Sequence, residues 1–228
     1  FVVNRTRGSV FGTDNAFFCA PRIDDLQCAY TTLAALLEAE NPKAIPVYAL
    51  FDNEEVGSET KQGAASTLLF DTVSRIAAHF GRTLSEMLPA SFMLSCDNGH
   101  ALHPNHPELS DATNAPHLNG GVVIKHNANQ RYATDALSEA LFTEICKRAD
   151  VPVQHFSNRS DIAGGGTLGS ISNTRVSMKT VDIGLAQLAM HSAVETGGVK
   201  DTDYMIRASK AFYESALTVT DEGAIVLE

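Results

Sequence analysis

Two adjacent glutamates, Glu54 and Glu55, lie in the short stretch DNEEVGS (Asp52 to Ser58), and further acids stand at Asp24 and Asp97, beside or at the end of apolar runs. Carboxylates gathered in one place repel one another and raise each other's pKa unless cations hold them, so convergence of these side chains points to bound divalent metal. Zinc suits such a set once an imidazole joins it. A catalytic zinc takes three protein ligands and leaves one position open, and a shared carboxylate holds two ions about 3.5–4 Å apart. A hydrolase of this kind also needs one unbound carboxylate as proton shuttle, and neighbouring glutamates divide those duties: one ligates while the other faces the attacking water. Taken alone, the pair reads first as a solvated acidic loop.

His191, in LAMHSAVE, is the imidazole candidate, with a structural histidine as the competing reading. His100, His103 and His106 share the loop beyond Asp97, where HxxH spacing invites zinc. Pro104 and Pro107 break any helix that would align them, which favours surface or substrate-pocket roles. Lys125 ends an apolar run and, with Arg131 and Tyr132, offers donors to a substrate carboxylate or peptide group; a solvated lysine is the alternative. The stretch AGGGTLG (Ala163 to Gly169) lacks the lysine of a phosphate-cradling loop and the GxGxxG spacing, leaving a close-approach loop that lines a pocket.

These residues need elements to position them. Leu26, Tyr30, Leu33 and Leu37 recur at helical spacing after Asp24 and Asp25, which are good cap types, and Asn41-Pro42 ends the pattern. Ala44 to Phe51 (AIPVYALF) is a nearly continuous apolar run of the kind buried in a parallel sheet, and it stops at Asp52. A helix through Leu68, Leu69, Val73, Ile76 and Phe80 follows, then a strand over Ser91 to Cys96 that stops at Asp97. Beyond a loop from Asn98 to Gly121 come a strand at Val122 to Lys125, a helix with Leu137, Leu141 and Ile145, and strands at Val151 to Phe156 and Val176 to Ile183. Met205, Ala208, Phe212 and Ala216 stripe a last helix, while the opening run at Phe1 is apolar and strand-like. Alternating strands and helices of this length predict an α/β fold with a largely parallel sheet, and in such sheets ligands bind outside the carboxyl ends of the strands.

The 228 residues favour one domain, and 44 % hydrophobic with 19 % charged residues is an ordinary globular composition. A net charge of −10 with 17 scattered Lys and Arg residues excludes a nucleic-acid surface. No apolar stretch approaches the length of a bilayer span and no signal-peptide layout opens the chain, so no membrane partner and a cytoplasmic location are expected. Cys19, Cys28, Cys96 and Cys146 form no CxxC pair and read as free thiols.

In order along the chain, PRIDDL (Pro21 to Leu26), DNEEVGS, SCDNGHALHPNH (Ser95 to His106), VVIKHNANQRYATDALSEAL (Val122 to Leu141) and LAMHS (Leu188 to Ser192) resemble the aspartyl aminopeptidase family of two-zinc metallopeptidases. The resemblance implies a phosphorylase/hydrolase-like α/β fold, a mostly parallel sheet sandwiched by helices, and removal of the N-terminal residue from peptide substrates with two zinc ions. It implies Asp24 as bridging carboxylate, Glu55 and His191 completing one metal site, Asp97 in the other, and Glu54 as general base. It also implies substrate contacts by His100, Lys125 and Tyr132, with acidic or neutral N-terminal residues as alternatives, and a homo-oligomer, a tetrahedral dodecamer in full-length relatives.

Two departures accompany the resemblance. The family's metal-binding histidine in an upstream HxD motif has no counterpart in the 23 residues before Asp24, and the family's dimerisation domain is missing. The expectation is a single catalytic-domain fragment over residues 1–228, holding one zinc more readily than two and weakly active by itself. Competing readings are a noncatalytic scaffold that keeps the fold, and another cocatalytic hydrolase such as a deacetylase or carboxypeptidase.

Overall fold

A computed structural model describes residues 2–228. In chain order its elements are β1 (Ser9–Phe11), β2 (Phe17–Ala20), α1 (Ile23–Glu38), α2 (Leu68–His79), α3 (Leu84–Met87), β3 (Phe92–Cys96), β4 (Gly99–His100), β5 (Val122–His126), α4 (Ala136–Arg148), β6 (Val153–Ser157), α5 (Leu168–Asn173), β7 (Lys179–Gly184), β8 (Ala186–Leu188), β9 (Glu195–Gly198), α6 (Val199–Glu214), β10 (Leu217–Val219) and β11 (Ile225–Leu227). The strand-like opening run includes Phe1, outside the described residues; Val2 and Val3 belong to no strand.

The apolar runs around residues 92, 122, 153 and 181 join in one sheet of order β3-β7-β5-β6, with β3–β7 and β5–β6 parallel and β5–β7 antiparallel. Alternation along β5 sends Val122 and Ile124 into the main core with Val181, Ile183, Phe142, Met205 and Ala208, so α4 and α6 cover that face. Val123 points the other way, onto Ala101 and Ala186. Helix α4 starts on a capping box: Asp135 accepts from the Ser138 amide while the Ser138 hydroxyl accepts from the Asp135 amide. A second sheet, β1-β2-β9-β8-β4, is mainly antiparallel. The chain passes from β3 to β4 beside the passage from β7 to β8, and this brings Asp97 to the junction of the two sheets. There the Asp97 amide donates to the Ile183 carbonyl at 3.0 Å. No described helix is long and apolar enough to cross a membrane. All four cysteines are free, as expected.

Three expectations need correction. Ala44 to Phe51 forms no strand, because among the described residues it joins no ladder; Ile45, Val47 and Leu50 are exposed, and the Tyr48 hydroxyl donates to the Ala29 carbonyl of α1. In α1 the stripe Leu26, Tyr30, Leu33 and Leu37 faces outward, while Cys28, Thr31, Thr32 and Ala35 are buried. The Thr31 and Thr32 hydroxyls can enter the interior because they donate back to the carbonyls of Gln27 and Cys28. Asp24 and Asp25 are not caps: both lie within the first turn of α1, Asp24 with extended backbone (φ −78°, ψ 116°), and the N-cap position falls on Arg22. The Asp24 carboxylate meets His191 in the hairpin between β8 and β9.

Candidate metal centre

The DNEEVGS stretch is a tight loop closed on itself. The Gly57 amide donates to the Glu54 carbonyl at 2.8 Å, Ser58 to Asn53 at 2.9 Å, Asp52 to Gln62 at 3.0 Å and Ala65 to Ser58 at 3.2 Å. Two glycines make this possible. Gly57 sits at φ +108°, where a side chain is strained, and a Cβ on Gly63 would lie 2.1 Å from the Ser58 carbonyl oxygen. The loop thereby holds Glu54 and Glu55 at a fixed place without regular secondary structure.

His191 stands in the hairpin between β8 and β9, at φ 65°. Its Nε2 lies 3.0 Å from Glu55 Oε1 and 3.1 Å from Asp24 Oδ2. Zinc ligands about 2.0–2.2 Å from a tetrahedral ion stand about 3.3–3.5 Å apart, so these three atoms have nearly the spacing of one coordination shell. Asp24, Asp25 and Asp97 form an adjoining carboxylate group with oxygens within 4.8 Å of one another.

A buried acid outside the expected set holds the backbone at two of the three residues Asp24, Glu55 and His191. Glu195, at the start of β9, accepts from the His191 amide at 2.7 Å and from the Asp24 amide at 3.1 Å. The Ala20↔Glu195 register brings it beside the chain that leads into Asp24. Its signal in the sequence was present, four residues after His191 in LAMHSAVE, but periodicity gives such an acid no role. Asp182 on β7 is a second unforeseen acid. It is fully buried and accepts from the Ser95 and Thr167 hydroxyls and the Ala133 amide. A Cβ on Gly169 would lie 2.4 Å from its Oδ1. The close approach expected of this stretch is thus made at Gly169, inside α5 rather than in a loop, and what it approaches is a carboxylate.

Lys125 is buried on the face of β5 opposite the main core, donating to Asp97 Oδ2 at 2.9 Å and to the Asn98 carbonyl at 2.8 Å. Tyr132 covers it, with the ammonium 5.6 Å from the ring centre. His100 is exposed on β4. His103 and His106 lie ring against tilted ring at the surface, His106 beside Glu108 at 3.2 Å, and among the described residues neither joins the acids around Asp24.

The electrostatics of the centre fit a cation. Burial, then Asp97 and Glu55, push the Asp24 carboxyl up to about 8. Asp25 is raised well above the usual carboxylate range by burial and by Asp97. Glu54 is raised by burial, then by Asp97 and Glu55. Burial, the largest single effect, disfavours the Lys125 ammonium, yet Asp97, Tyr132 and Asp182 together outweigh it and leave it raised; one lysine facing this many acids does not neutralise them. Loss of hydration lowers the His100 imidazole, with Lys125 and His191 adding to the effect, and burial raises Tyr132. Asp24 Oδ1 and Asp25 Oδ1 are buried without a hydrogen-bond partner, which is unfavourable unless a cation or water meets them. Two carboxylates and an imidazole converging beside such orphaned oxygens fit divalent zinc.

Comparison with known proteins gives the family. A family described as "Aminopeptidase I zinc metalloprotease (M18)" matches residues 1–213. The chain is 44 % identical over 216 residues to a probable M18 family aminopeptidase 2 of Clostridium novyi, covering 93 % of this chain and 50 % of that protein. It is 41 % identical over 215 residues to a probable aspartyl aminopeptidase of Ricinus communis, covering 90 % and 44 %. Its fold matches a structure of the S. cerevesiae mApe1 dodecamer with a TM-score of 0.80 at 31 % identity, covering 92 % of this chain and 48 % of that one. The chain therefore spans about half the length of the curated relatives it matches. With its ordered motifs, its α/β fold and these matches, the chain belongs to the M18 family of zinc aminopeptidases.

Proposed function

We propose that this chain carries the zinc centre of an aminopeptidase that removes the N-terminal residue from peptides, with Asp24, Glu55 and His191 holding one ion and Asp24 shared with a second ion beside Asp97. The observation that carries the reading is the meeting of one imidazole and two carboxylates at 3.0 and 3.1 Å, next to a glutamate outside that set. Zinc bound there supplies Lewis acidity toward the peptide carbonyl and lowers the pKa of the attacking water.

The chain's own residues do the rest. Glu54 takes the proton from the water as it attacks the peptide carbonyl and returns it to the leaving amine. Its raised pKa brings it nearer neutrality, which suits a group that both accepts and donates. Glu195 holds the backbones of Asp24 and His191 so that both ligands face one point. Lys125 acts through Asp97, fixing that carboxylate rather than lying free in solvent. His100 and Tyr132 border the substrate's N-terminal end, and the lowered pKa of His100 favours its neutral imidazole. A homo-oligomer of the kind formed by the S. cerevesiae dodecamer is the proposed assembly.

Glu54→Gln tests the reading. In the zinc-loaded protein, kcat on aminoacyl anilides falls by about 10²- to 10⁴-fold, the usual contribution of a general base, while zinc binding persists. N-acylated peptides stay uncleaved. Unchanged turnover by Glu54→Gln would remove Glu54 as the general base.

A further inference from the structure

Another group with metal-ligand character lies away from the peptidase centre, where β5, β6 and α4 meet. His126 is the last residue of β5, His155 the third of β6, and Glu139 lies near the start of α4. The parallel register pairs Ile124 with His155 and His126 with Ser157, so the two histidines are diagonal neighbours on one face of the sheet. It is the face that α4 covers, and Lys125, one residue away, points to the other face and Asp97.

The three side chains converge on one point. His126 Nε2 lies 3.3 Å from His155 Nδ1, Glu139 Oε1 lies 3.5 Å from His155 Nδ1, and Glu139 Oε1 lies 3.9 Å from His126 Nε2. Ligand atoms around a tetrahedral zinc stand about 3.3–3.5 Å apart, so this triangle is a coordination shell slightly opened on one edge. We propose that His126, Glu139 and His155 form a divalent transition-metal site of the zinc class, separate from the peptidase centre.

Two imidazole nitrogens and a carboxylate oxygen are borderline donors that zinc accepts, whereas calcium and magnesium prefer oxygen alone. The three donors come from two hydrogen-bonded strands and a capped helix, elements that keep their spacing without a bound ion. The side chains remain 30 to 43 % exposed, which gives an ion a path in and leaves the fourth position to water. Without a metal, the same side chains would form only a hydrogen-bonded His–His–Glu chain.

Zinc titration against a chromophoric chelator, at neutral pH and with cobalt absorption as a second readout, separates these possibilities. His155→Ala and His126→Gln each weaken one zinc equivalent by at least about 100-fold, since even outer-shell partners of a metal are worth about 10- to 100-fold. His191→Ala loses a different equivalent, and the His155→Ala, His191→Ala double variant loses both. The cobalt spectrum of His191→Ala keeps the band that His155→Ala removes. Zinc equivalents and affinities unchanged by His155→Ala and His126→Gln, with thermal unfolding of both metal-free variants like that of the parent, would overturn the proposal. The His191→Ala arm keeps this outcome distinct from failure of the peptidase reading.

Discussion

At the scale of single residues, the centre depends as much on the acid that holds the ligands as on the ligands. Asp24, Glu55 and His191 were legible from residue type and motif, and the structure brings their donor atoms together. Glu195 was not, because its role comes from accepting two backbone amides, one of them 171 residues away in sequence. Glu195→Gln keeps the shape but loses the charge that strengthens both bonds and one of the two acceptor oxygens. Zinc affinity at the Asp24–Glu55–His191 set is expected to fall by about 10- to 100-fold, as for other outer-shell partners, and competition with a chelator measures it. Unaltered affinity would reduce Glu195 to a structural acid.

At the scale of elements, most helices and strands were readable from their periodicity, and the corrections fall where an element lacks a partner or an acid has a second duty. Ala44 to Phe51 has a strand's composition, but a strand exists only when another chain segment satisfies its backbone groups. Helix α1 has a helix's period, yet its most apolar stripe is exposed and its threonines are buried, since neighbouring elements choose the buried face. The closed loop over Asp52 to Ala65 depends on Gly63. In Gly63→Ala the new Cβ meets the Ser58 carbonyl oxygen at 2.1 Å and forces the loop open. Overpacking of this kind costs about 1–3 kcal/mol, which urea unfolding reads directly. Zinc affinity falls with it as Glu55 shifts; a stable Gly63→Ala protein with intact zinc binding would show that the loop tolerates another shape.

At the scale of the whole molecule, the buried acids set how stability varies with pH. Asp24 is raised from 3.8 to about 8 and Asp201, buried against the Asn119 and Gly121 amides, to about 6. The folded state therefore binds more protons than the unfolded one between about pH 4 and pH 8, and metal-free stability falls as pH rises through that window. Zinc replaces the protons as counter-charge and favours the deprotonated site. The melting temperature of metal-free protein is expected to drop from about pH 5 to about pH 8, with added zinc raising it most at the higher pH. Calorimetric scans at both pH values check the sign, and a metal-free melting temperature that climbs with pH contradicts it.

The sequence by itself determined the family, the α/β class, the free thiols and the donor types, because motif order, period and residue chemistry are local properties of the chain. Only the tertiary structure decided which stripe of α1 is covered, that Ala44 to Phe51 joins no sheet, that Lys125 pairs with Asp97, and that Glu195 and Asp182 hold the surrounding backbone. Those outcomes are contacts between residues distant in the chain, and no local pattern records which distant partner will satisfy a buried charge or an unpaired backbone group.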